Sequence, residues 1–312
     1  MQRGRLRHCL NFAIPPLLMV LGGASCAHPL PPTPTQFLFV TLPEKRSVAV
    51  FDAAASGDAK PLATIQESSP DTPIDVGMSM RGEIFVGNSN GTINVYAGAH
   101  RDYRRVRMLA GANTRMVHPV AMAVDQNGAI YLADRGAAPG QEQLIFLAPA
   151  QTGNVAPDRI VRGPHTGLTS PTGIAIDASE EVFVVDHDTG KVLIFADDAN
   201  GDALPLATLG GLKGPQRVFV DQDLNVLVSC DGDDSIVVFA PDGPLTWTRS
   251  ATITSAAMQH PTGVTADSSG NIAAAVQGAV LFFAAGDNGP SKPSFELEGP
   301  EPMNPTGLLI HN

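Results

Sequence analysis

The chain has 312 residues, 43% hydrophobic, 16% charged and 5% aromatic, with a formal charge of −11. It is too apolar and too weakly charged for a disordered chain, and long enough for one large β domain or two ordinary ones. The acidic balance argues against nucleic acid and anionic lipid as direct partners, and the few aromatics leave no stacking platform for sugars or bases.

Residues 1–26 read as an export signal. Arg3, Arg5 and Arg7 form a basic start with no acid nearby. The apolar run "LNFAIPPLLMVLGGA" (10–24) is interrupted by Pro15 and Pro16 and is short for a membrane span. It ends in "GGASC", which resembles a bacterial lipobox, with Gly23 where that pattern has Leu or a similar apolar residue. Cys26 is therefore the expected lipidation site, and residues 27–35, rich in Pro, form a stiff tether. These features place the protein in the cell envelope, held to the membrane through the lipid alone, with plain secretion as the alternative. Cys9 leaves with the signal, which strands Cys230 without a disulfide partner.

From residue 36 to residue 312 one unit recurs. Its clearest copies are "HPVAMAVDQNGAIYLAD" (118–134) and "SPTGIAIDASEEVFVVD" (170–186). The anchors are Pro73, Pro119, Pro171, Pro215, Pro261 and Pro305, roughly 44–52 residues apart, a period of propeller blades or solenoids. Within a unit, short Val/Ile/Phe-rich runs alternate with Asp/Asn/Gly turns, so the unit is β rather than helical. Residues 170–211 predict four strands: "GIAID", "VFVVD", "KVLIFA" and "PLATLG". Pro61, Pro157, Pro205 and Pro293 open the fourth runs, which places those runs on outer edges, where no ladder N–H is needed. The segment 37–66 supplies strands two to four of a blade, and "GLLIH" near the C-terminus supplies strand one. The prediction is an all-β, six-bladed β-propeller of four-stranded blades. Its ring closes by pairing the C-terminal strand with the three N-terminal ones, which removes exposed edges.

The phrasing "P-x-G-[IV]-[AT]-x-D" followed by "[IV]-[YF]-[VL]-[AV]-[DN]" resembles NHL-repeat and related six-bladed propellers. The "SGDAKP", "TGNVAP" and "NGDALP" hairpins resemble those of exported bacterial members. That fold hosts lactonases, lyases and inert scaffolds, so it does not name a function.

Asp125, Asp177, Asp221 and Asp267 recur at the end of strand one and are expected to cap tight turns. The ends of strand two, Asn88, Asp134, Asp186 and Cys230–Asp231, are expected to line a funnel with the loops entering strand one. The distantly resembling senescence-marker/gluconolactonase propellers bind a divalent metal there. The resemblance carries their metal-ligand Asp onto Asp186. Their Asn position falls on Thr172, and Glu44 does not occupy the place of their Glu. His118 and His260 precede anchors in blades three apart and face one another across the axis, and His187 follows Asp186. In some resembling lyases, His residues from several blades hold zinc or move protons. Two strings are decoys: "GNSNG" (87–91) lacks the strand-to-helix elbow of a nucleophile motif, and "DDANGD" (197–202) lacks the later residues of a calcium loop.

The resulting expectation is a monomeric, non-enzymatic propeller that binds a protein or small molecule through the funnel. No cofactor follows from the sequence. The alternative is a lactonase-like hydrolase or lyase using Ca, Zn or Mg at Asp186 with His118, His187 or His260.

Overall fold

A computed structural model describes residues 36–99, 102–300 and 303–311. The export signal, Cys26 and the tether lie outside the described residues. The described chain is a six-bladed propeller of antiparallel sheets, with two single-turn 3-10 segments as its helical content among the described residues.

We number the blades from the first complete one. Blade 1 runs over 73–109, blade 2 over 119–161, blade 3 over 171–209, blade 4 over 215–254 and blade 5 over 263–297. Blade 6 is composite. Its inner strand, Leu308–His311, pairs with Phe37–Leu42 in the register Phe37↔His311 to Val40↔Leu308, and Ser47–Asp52 and Ala63–Gln66 follow outward. The six inner strands pack side by side in a closed ring.

Each sheet is buried on both faces, so its middle strands are apolar runs rather than alternating ones. Val182, Val184 and Phe195 of blade 3 pack against blade 2. Their neighbours Phe183, Val185 and Ile194 pack against blade 4. The period-2 alternation of strands thus sends successive side chains into successive seams. Six such apolar layers, one per seam, form the core.

The Pro that opens the fourth runs in sequence sits two residues upstream of the strand itself, as Pro61 does before Ala63 and Pro205 before Ala207. The reason lies in the hairpin just before it. Gly57, Gly153 and Gly201 bridge back, in parallel, to the outer strand of the preceding blade at Leu297, Leu109 and Val161. Gly201 N–H donates to Ile160 O at 2.8 Å, and Arg162 N–H donates to Gly201 O at 2.8 Å. These glycines have φ of +60°, +77° and +65° with open space where a Cβ would be, so backbone conformation selects glycine there. Blade 5 makes the same link at Gly289–Pro290, which adds a fifth strand to the blade 4 sheet.

Candidate functional site

Four inner strands begin on their anchors, and each anchor pairs with the end of strand two: Pro73↔Asn88, Pro119↔Asp134, Pro171↔Asp186 and Pro215↔Cys230. The strand-two residues named from the sequence therefore do share one face of the ring. Asp186 is fully buried. Its Oδ2 accepts the N–H groups of Thr169 (2.7 Å) and Ser170 (2.8 Å), and its Oδ1 accepts the hydroxyls of Thr169 and Thr189 and the N–H of Thr189. Burial alone would raise its pKa, but these donors outweigh burial and hold it below the usual carboxylate value. Asp134 is also fully buried and accepts the N–H groups of Val117, His118 and Gly136. Asn88 is buried, and its Oδ1 has no partner among the described residues. Asp231 accepts from Gln216 Nε2 at 2.7 Å.

The three histidines are each engaged by their own surroundings. His118 Nδ1 lies 2.7 Å from Gly136 O, His187 Nδ1 lies 2.9 Å from Asp188 Oδ1, and the backbone N–H of His260 donates to Asp234 Oδ1. Among the described residues no three His, Cys, Asp or Glu side chains converge to hold a metal ion. Cys230 is a buried core residue, its thiol pushed up to about 12 chiefly by burial. The turn acids act as expected: Asp125 Oδ1, for example, accepts the N–H groups of Asn127 and Ala129. Neither decoy string is a site. Ser89 of "GNSNG" sits in a turn between two strands, Asn200 of "DDANGD" accepts the N–H of Ile160 in the preceding blade, and Asp202 accepts that of His165 in the segment after it.

The sequence reading missed the axis. Four inner strands carry a bulge just after the anchor, between Pro73 and Asp75, Pro119 and Ala121, Pro171 and Gly173, and Pro215 and Arg217. Each leaves one residue unpaired and its carbonyl free to face the axis. Arg217, from blade 4, reaches across the channel and donates to three of those carbonyls: Thr172 O, Val120 O (3.1 Å) and Ile74 O (3.3 Å). Its Nε lies 4.0 Å from Oδ2 of Asp75, which comes from the opposite blade 1. Nε is buried and makes no hydrogen bond among the described residues. Asp75 accepts the N–H groups of Val76 and Met122.

The position two after the anchor is Asp75, Ala121, Gly173, Arg217, Gly263 and Gly307 in the six blades. The small residues make the room. A Cβ on Gly307 would stand 2.6 Å from Asp75 Oδ1, and one on Gly173 would stand 2.9 Å from the Cα of Arg217. The signal was therefore present: two repeats break a small-residue position with opposite charges three blades apart. Burial raises the Asp75 pKa, and Arg217 and the two N–H groups oppose it only in part. Burial likewise lowers that of Arg217 against the pull of Asp75. A buried acid and base with shifted pKa values, paired at a cavity, form a candidate functional site.

The pair forms the floor of an axial well of about 170 Å³. Its walls are apolar, among them Val76, Met122, Ile174, Val218 and Val264. It runs away from the anchors and shares Met78, Val124 and Val220 with wider pockets around the mouth. That mouth lies among the turns joining strands one and two, with Gln126, Gln222 and Ser268 on its rim. The cavity thus opens on the face opposite the one that holds Asp134 and Asp186.

No known protein family matches the chain, and no curated protein does. Solved propeller structures match most of the chain. A periplasmic gluconolactonase of Pseudomonas aeruginosa superposes with a TM-score of 0.65 at 15% identity, covering 89% of this chain and 99% of that one. A candidate 6-phosphogluconolactonase of Bacteroides fragilis gives 0.64 at 11% identity over 91% and 100%. The Cps50 (Swd1) β-propeller domain of Myceliophteria thermophila gives 0.56 at 12% identity over 86% and 88%. At these identities the likeness is one of fold alone.

Proposed function

We propose that this protein hydrolyses cyclic esters at the floor of the axial well. The carrying observation is the Asp75–Arg217 pair: a buried carboxylate and a guanidinium set side by side at the floor of a cavity. The lactonase names of two structural neighbours support the substrate type. In the reaction, Asp75 takes a proton from a water as the water attacks the lactone carbonyl. The positive charge of the Arg217 guanidinium stabilises the oxyanion that develops. The ring C–O bond then breaks, its oxygen takes the proton from Asp75, and the hydroxy acid leaves, releasing one proton to solvent at neutral pH.

Asp186 does not serve this reading, because its oxygens are filled by five donors. A second reading, ligand holding without turnover in the same well, draws support from Arg217, whose two terminal nitrogens already bond carbonyls of three blades. We further propose export and anchoring through Cys26, on the strength of "GGASC" and the Pro-rich segment after it. Base uptake by a panel of lactones at constant pH tests the main reading. Steady consumption above the uncatalysed rate is expected, and saturable binding without base uptake would move the assignment to the second reading.

A further inference from the structure

We infer that the well selects an uncharged aliphatic lactone, a small ring carrying a short alkyl chain, over a polyhydroxylated sugar lactone. The inference rests on the cyclic-ester reading above and concerns the same site. Three observations carry it.

The first is the lining. Beyond the floor, the walls are formed by Val76, Met122, Val124, Ile174, Val218 and Val264. A sugar lactone would set several hydroxyls against these side chains. A hydroxyl set against one of these side chains gives up its water without gaining a hydrogen bond from that side chain. An alkyl chain meets the same wall with a gain for every methylene buried.

The second is size. A cavity of about 170 Å³ equals five or six waters, taking roughly 30 Å³ for each. It accepts one small ring with a short chain and excludes larger esters, while the lining separates that ligand from a sugar lactone of similar volume.

The third is the floor. Asp75 and Arg217 together are neutral, so a ligand carrying a net charge meets one partner of like sign at short range. A neutral ester carbonyl does not. It lies against the Arg217 guanidinium and leaves Asp75 to face the attacking water. The product differs in this respect. A hydroxycarboxylate brings a negative charge beside Asp75, which favours its departure through the polar mouth at Gln126 and Gln222.

The test compares γ-octalactone and glucono-δ-lactone as substrates of the full protein, followed by base uptake at constant pH. The expected result is a kcat/KM at least about tenfold higher for the octalactone, the scale on which a few buried methylenes discriminate. Val124→Thr keeps the shape of a wall residue and adds a hydroxyl, so it should narrow that ratio severalfold. A protein that prefers gluconolactone, and loses that activity in Asp75→Asn, overturns the aliphatic class while leaving the hydrolase reading in place. Turnover of neither lactone overturns both.

Discussion

A carboxylate that accepts five hydrogen bonds cannot become an amide without loss, because the amide NH₂ faces donors where an oxygen stood. Asp186 is such a carboxylate. Asp186→Asn should cost about 1–3 kcal/mol, the scale for a buried donor left unpaired. The sign of its pH dependence follows from its lowered pKa. The stabilisation is present above the ordinary value of 3.8 and is lost as pH falls through the lower value of the folded protein. The gap in melting temperature between wild type and variant should therefore be full at neutral pH and close only in strong acid. A gap that persists unchanged at low pH would mean that the charge is not what the loop uses. Asp186 was legible as a special residue because it ends the second strand of a well-formed repeat. Its role was not, because a ligand Asp and a loop-capping Asp look alike until the donors around them are placed.

At the scale of the element, the repeat was readable because each strand is buried on both faces and so appears as an unbroken apolar run. "VFVVD" coincides with Val182–Asp186. The bulges after the anchors were not readable, since a bulge alters pairing without altering composition. Their consequence, a ring of freed carbonyls gathered by Arg217, needs three-dimensional neighbours from four blades. Closure by the composite blade makes a direct demand. Deleting residues 305–312 removes the inner strand paired with Phe37–Val40 and uncovers both the axial ring and a strand edge. It also removes Gly307, whose N–H donates to Thr41 Oγ1 at 2.6 Å beside Asp75. The truncated chain should lose most of a stability of roughly 5–15 kcal/mol and unfold at moderate temperature. A melt like that of the full chain would mean the ring does not depend on this strand.

For the whole molecule, the two ends of the ring offer two places for chemistry. The sequence pointed to the anchor face, where Asn88, Asp134, Asp186 and the histidines gather at the ends of strands. The structure opens its axial well on the other face and sets the buried Asp75–Arg217 pair at its floor. The most direct measurement is lactone hydrolysis by Asp75→Asn beside His187→Ala and His118→Ala, each checked for an unchanged melting curve. Asp75→Asn should lose at least about 100-fold in kcat/KM, as for a general base, and both histidine variants should stay within about twofold of wild type. Activity that survives in Asp75→Asn and fails in the histidine variants would place the site on the anchor face and contradict the axial one.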